Sequence, residues 1–353
     1  MKKFLSILLA AVLVCTLAAC GGETPAPSSA DAPASDAPAD ESAAPADDAA
    51  ASDMNMSAAF VTVQPLGDPT IDLCYAGFTK AVEEFGFEKT TVVEAKAGEY
   101  EENFRALCEE GYGLIIANMP ELQEAVGRVA PDYPDTKFMI ALGEAAGDNV
   151  ISTWNIEQYG TYITGVYAGL MTKTNKVAFL GGVDNDQLGR VGGGFIDGVK
   201  ASNPDCEVEV LFVGSFTDPT KGKEMASLLY NEGCDIIFQA CAQSGLGVFE
   251  IAKELGEGHN IIGIDVDQNG NIPGQVIGSF VTPYDQWVYE AMKEYAEGKF
   301  EGRVIYRSVA EGTTLKMATD YIDVPQEVID AVDEATQKVL NGEVEPSDTI
   351  KKA

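Results

Sequence analysis

Two aspartates follow an apolar run in Ile262-Gly263-Ile264-Asp265-Val266-Asp267. Paired carboxylates placed there can hold a cation, accept a ligand's hydroxyl protons or move a proton. The stretch from Asp265 to Gly270 matches the opening of a calcium loop, D-x-D-x-N-G, which needs a bidentate glutamate at its twelfth position. Val276 stands there, and a strand rather than a helix precedes the motif, so calcium is a poor fit and no metal is expected. The better reading turns Asp265 toward a ligand, against the plainer one in which both acids are solvated. His259 is the only histidine and lies in a polar stretch, which excludes a histidine-based zinc site and a Ser-His-Asp triad. Gln243-Ser244-Gly245 opens a helix whose free N–H groups can meet ligand oxygens, or it is a structural turn. Phe216, between a strand and a helix, can stack on a planar ligand or plug the core. The glycines from Gly181 to Gly194 are not G-x-G-x-x-G between a strand and a helix, and no phosphate loop occurs. Close packing of a helix on a sheet, plus a loop near the cleft, explains them better.

Those residues need a frame. Short apolar strands read at 58–63, 91–95, 113–117 and 137–142, with helices at 75–85, 100–110 and 122–129 between them. The pattern restarts after Trp154, with a helix at 159–171 and strands at 176–180, 208–213, 235–238 and 260–264. Helices run through 195–199, from Asp218-Pro219, where Asp caps and Pro suits the first turn, and over 247–255. A strand at 276–281 and a helix at 284–295 follow. Continuous apolar strands separated by helices mean parallel sheets covered on both faces. Two such runs predict two doubly wound α/β domains, with ligands beyond the carboxyl ends of the strands and a pocket between the domains.

The beginning of the chain points to a location. Lys2 and Lys3, an apolar run from Phe4 to Leu17, and Leu17-Ala18-Ala19-Cys20 have the layout of a secretory signal too short to span a bilayer. Cysteine after Leu-Ala-Ala resembles a bacterial lipobox, in which Cys20 is lipidated and residues 1–20 form the signal. Residues 21–57, almost entirely Ala, Pro, Ser, Asp and Glu, read as a disordered acidic tether. The expected place is the extracytoplasmic face of the cell membrane, held by lipid.

The whole chain carries 56 acidic and 23 basic residues, a formal charge of -33, and only eight of the acids lie in the tether. An acidic body argues against binding nucleic acid or docking on anionic lipid through a basic patch, and favours a soluble monomer. Cys74, Cys108, Cys206, Cys234 and Cys241 show no CxxC and look like small core residues, with a Cys234–Cys241 or Cys206–Cys234 bridge left open.

Several segments carry a family resemblance. Val213-Gly214-Ser215-Phe216-Thr217-Asp218-Pro219-Thr220-Lys221-Gly222-Lys223 resembles the G-S-F-x-D-x-x-K-G-K stretch of the basic membrane protein family. Gly245-Leu246-Gly247-Val248-Phe249, Ile262 to Gln268, and Tyr162 to Thr174 are similar to further family motifs. The resemblance runs from about Ala58 to the end of the chain. It implies a type I periplasmic-binding-protein fold, two doubly wound parallel-sheet domains joined by a three-crossover hinge. The expected boundaries are 58–154 with 282–306 for one domain and 155–281 with 307–353 for the other.

The resemblance also implies a lipoprotein that closes around a small polar ligand, most simply a purine nucleoside, for an ABC permease, with no cofactor. Phe216 would stack on the base and Asp265 would hold ribose hydroxyls. Asp68 and Asn118 would face the cleft from the first domain, with Gln243, Ser244 and Gly245 from the second. The sequence departs from the family at three points. The loop at Asp68-Pro69-Thr70-Ile71-Asp72 is shorter and lacks an aromatic. Leu142 stands where an acid often reads the base edge, and Thr282 where a lysine stands. Trp154 can supply a substitute ring or pack the hinge. Those departures leave open a flavin or sugar-like ligand on the same scaffold, or a surface enzyme processing nucleosides through Asp265 and Asp267.

Overall fold

The computed structural model describes residues 54–350. Cys20 and most of the tether lie outside them. The order is β1 (Ser57–Thr62), α1 (Pro69–Phe85), β2 (Lys89–Glu94), α2 (Tyr100–Glu109), β3 (Leu114–Ala117), α3 (Gln123–Val129), β4 (Lys137–Ile140) and β5 (Val150–Asn155). Then come α4 (Glu157–Met171), β6 (Lys176–Gly181), α5 (Asp186–Ser202), β7 (Glu207–Phe212), α6 (Pro219–Asn231), β8 (Ile236–Ala240), α7 (Gly245–Leu255), β9 (Asn260–Asp265) and β10 (Val276–Val281). The chain ends with α8 (Tyr284–Ala296), β11 (Arg303–Arg307), β12 (Thr314–Met317) and α9 (Gln326–Leu340).

Two six-stranded sheets result, ordered β11-β5-β4-β3-β1-β2 and β12-β10-β9-β8-β6-β7. Every pairing in the first sheet is parallel, and in the second only β12 runs antiparallel, against β10. Period-two alternation sends β1 into two cores at once: Ala58 and Phe60 pack on one face, Ala59 and Val61 on the other. β6 divides the same way, Val177 and Phe179 against Ala178 and Leu180. Burial on both faces is why these strands read as unbroken apolar runs.

The chain passes between the sheets at Ile156, at Thr282-Pro283 and over 308–313. The crossovers are tied together. Ile156 N donates to Arg307 O at 2.8 Å, and Asn155 Nδ2 reaches Thr282 Oγ1 at 3.5 Å.

The glycine-rich stretch packs on both sheet and helix: a Cβ on Gly192 of α5 would press on Phe179 of β6, one on Gly194 would overlap the Gln158 carbonyl of α4, and Gly182 lies under the Phe216 ring. A Cβ on Gly165 of α4 would overlap the Phe195 carbonyl of α5, and one on Gly198 would overlap the Tyr162 carbonyl. Strands β5, β11 and β12 and helix α9 add to the elements read from sequence. Helix α1 starts six residues before the expected Tyr75, because Asp68-Pro69 opens it as Asp218-Pro219 opens α6. All five described cysteines are free and buried, so neither bridge forms.

Candidate functional site

The carboxyl ends of both sheets border one cavity of about 850 Å³, its solvent-open mouth included. Asp265 closes β9 with φ +64°, a left-handed conformation that Asp tolerates better than most residues. Across the cleft, Thr70 Oγ1 in the first turn of α1 donates to Asp265 Oδ2 at 2.7 Å. The elements of the two sheets therefore meet directly over the cavity. Burial pushes the Asp265 carboxyl up to about 6, against the lowering effect of the Thr70 hydroxyl, with Asp68 and Glu157 adding repulsion.

Asp68 is the N-cap of α1. Its Oδ1 accepts from Thr70 N at 3.0 Å and Ile71 N at 3.4 Å, while Oδ2 is buried without a partner. Burial raises its carboxyl too, over the opposing pull of the helix N–H groups. Asn118, just past β3, is fully buried, and neither side-chain polar atom has a partner. It is absent from the cavity lining.

On the other wall, Phe216 faces the cavity beside Ala242, Ile264 and Phe280. Its ring rests on Gly182, where a Cβ would overlap it. Gln243, Ser244 and Gly245 do not line the cavity. Ser244 instead fixes the Phe216 loop: its hydroxyl donates to Ser215 O at 2.9 Å and accepts from Asp218 N at 2.8 Å, and its own N–H reaches Phe216 O at 3.0 Å. Gly245 packs where a Cβ would overlap the Gln239 side chain. Asp267 turns away into an ion pair with Lys316 at 2.6 Å, so the two aspartates part company.

Sequence reasoning missed Glu157, Arg190, Gln187, Tyr284 and Thr70. Glu157 opens α4 fully buried, with Arg190 Nε at 2.9 Å and Gln187 Nε2 at 3.3 Å. Burial raises its carboxyl despite that pairing. Arg190 in turn lies over the Trp154 ring at 4.5 Å. The signal available was Glu157 as the one charged residue of α4, at its first position, with Arg190 in the second turn of α5. Leu142 lines the cavity, and Thr282 is buried at its crossover.

Among the described residues no lysine or arginine lines this cavity, whereas Asp68, Glu121, Glu157 and Asp265 do. Such a cleft accepts hydrogen bonds from neutral hydroxyl or amino donors and repels anions. No group of described residues is arranged to hold a metal ion.

Residues 59–349 match the model of the Bmp family, ABC transporter substrate-binding protein PnrA-like. The chain belongs to that family. Among Bmp relatives, it is 30% identical over 265 residues to the CD4+ T-cell-stimulating antigen of Listeria monocytogenes, covering 71% of this chain and 74% of the relative. It is 29% identical over 264 residues to the ABC transporter nucleoside-binding protein BmpA of Lactococcus lactis subsp. cremoris, covering 70% and 75%. An ABC transporter solute-binding protein of Aeropyrum pernix shares the fold at TM-score 0.74 and 24% identity, over 82% of this chain and 92% of that one. A counterpart from Conexibacter woesei does so at TM-score 0.64 and 21% identity, over 83% and 98%. The fold is the type I periplasmic-binding-protein fold. A Bmp protein is a solute-binding component of an ABC transporter, with a small-molecule ligand and a membrane permease as partner, and is not an enzyme.

Proposed function

We propose that this protein captures a purine nucleoside between its two sheets and delivers it to an ABC permease for import. The observation that carries this reading is the polarity of one cavity. Asp265, bridged to Thr70, and the unpartnered Oδ2 of Asp68 offer acceptors for ribose hydroxyls. Phe216 and the apolar wall around it offer a face to a base. The name of the Lactococcus relative points the same way.

The two lobes are residues 58–154 with 282–306 and residues 155–281 with 307–353, and the three crossovers are the hinge. The sheet to which each strand belongs supports that division. Asn118 joins the site when the lobes open or a ligand brings water to its orphaned amide. A monomer tethered by residues 21–57 to a lipid on Cys20, on the extracytoplasmic face, fits the signal-like start of the chain.

Thermal unfolding with inosine, guanosine, adenosine, free bases, nucleotides, riboflavin and sugars tests this. A nucleoside at a hundredfold excess over Kd stabilises the fold by about 2.7 kcal/mol, and nucleotides leave it unmoved. Silence from every nucleoside with a shift from riboflavin or a sugar would replace the ligand while keeping the receptor.

A further inference from the structure

The main cavity continues into a second chamber. Both are lined by Leu142, Glu157, Asn185, Gln187 and Tyr284, and the second ends at Trp154 and Arg190. The hydroxyl-accepting acids Asp68 and Asp265 stand only in the first. Arg190 is held from two sides. Its Nε donates to buried Glu157, its Cζ lies over the Trp154 ring, and its side chain is only 14% exposed. Its two terminal nitrogens have no partner among the described residues.

A guanidinium so fixed is a pre-organised double donor, since little side-chain freedom remains to be lost when an acceptor arrives. Glu157 neutralises its charge, and Glu121 and Asp186 also line the chamber, so an anionic acceptor is disfavoured. A neutral carbonyl oxygen fits.

We infer that Arg190 is a specificity-determining residue whose terminal nitrogens read a carbonyl on the base of the ligand. This rests on the nucleoside reading. With the ribose hydroxyls at Asp68 and Asp265, the heteroaromatic end runs past Leu142 toward Arg190. There an oxo group meets donors, whereas an exocyclic amino group meets donors of its own kind. The site selects 6-oxopurine nucleosides over 6-aminopurine ones. Trp154 and Glu157 are positioning residues for Arg190.

The test is isothermal titration of inosine and adenosine, which differ at that one exocyclic group, into the wild type and Arg190→Met. A site built to hydrogen-bond a group discriminates strongly for it. The wild type prefers inosine by about tenfold or more, and Arg190→Met brings the ratio near one, mostly by weakening inosine. Removing Arg190 alone strands a buried Glu157, so Glu157→Gln/Arg190→Met, which buries no charge, repeats the comparison. Its unfolding midpoint without ligand checks the fold. Nucleosides bound with the same preference in wild type and both variants would overturn the assignment of Arg190 and leave the nucleoside reading standing. No nucleoside binding by the wild type would overturn both.

Discussion

Lowering the pH should weaken nucleoside binding through Asp265, by an amount that follows from its surroundings. Burial raises its carboxyl to about 6, and Asp68 and Glu157 add repulsion while Thr70 opposes them. Donor hydroxyls of a ribose favour the charged carboxylate, so the complex holds its proton less tightly than the empty form. Binding below pH 6 therefore releases a proton, and affinity falls as pH falls. At pH 5 about one eleventh of the empty protein carries an ionised Asp265, and at pH 7.5 nearly all of it does. The expected loss is about tenfold in Kd, or about 1.4 kcal/mol. Titration calorimetry at pH 7.5, 6 and 5 measures it directly. Asp265→Asn keeps the acceptor for Thr70 and suits φ +64°. It should bind more weakly at every pH and lose the dependence. Asp68→Asn removes one repelling charge and should move the midpoint to lower pH. A Kd that changes less than twofold between pH 7.5 and 5, or a tenfold loss that persists in Asp265→Asn, would refute the role given to this carboxylate.

Two more outcomes follow from the same geometry. Without ligand, the raised carboxyl of Asp265 favours the fold below the unfolded value of 3.8 and loses that advantage as pH rises through about 6. Asp265→Asn should therefore stabilise the empty protein by up to about 3 kcal/mol at pH 7.5 and by nothing at pH 3.5, read by urea unfolding at both. At Gly182, an added Cβ displaces the Phe216 ring, so Gly182→Ala should cost about 1–3 kcal/mol of stability and weaken nucleoside binding about tenfold through the lost stacking. Unchanged calorimetric affinity in that variant would show that Phe216 does not touch the ligand.

Most strands were legible because burial leaves apolar runs in them, the border strands β2 and β7 included. Strands β5, β11 and β12 were not. Arg303–Arg307 carries an arginine at each end of only three uncharged residues, Thr314–Met317 contains a lysine and pairs with β10 alone, and Val150–Asn155 is interrupted by Ser152 and Thr153. Helix α9 did carry a readable signal, with Val328, Val332, Ala335 and Val339 on one face. The Asp-Pro start of α1 was equally readable, since the same dipeptide marks α6. Of the expected site residues, Asp265, Asp68 and Phe216 line the cavity, the first ending β9, the second capping α1 and the third in the loop between β7 and α6. Gln243, Ser244 and Gly245 also stand where a strand gives way to a helix but serve the loop that carries Phe216. Arg190 and Glu157 were hidden because their meeting depends on α4 and α5 packing closely enough, through Gly165 and Gly198, to bring the two side chains together.

That helix contact also bears on which ligands the cleft can refuse. Glu157 neutralises Arg190, so among the described residues Asp68 and Asp265 face the cavity without a compensating cation in its lining. A neutral nucleoside meets acceptors for its hydroxyls. A nucleotide would bring a phosphate toward the same carboxylates. At a separation of ~5 Å and an effective dielectric of ~20, each pair of like charges costs about 3 kcal/mol, and a phosphate carries nearly two charges at neutral pH. The rejection is largest above pH 6, where Asp265 is ionised. The carboxylates that weaken binding in acid are thus the ones that exclude phosphorylated ligands at neutral pH, and both properties should fade together in Asp265→Asn.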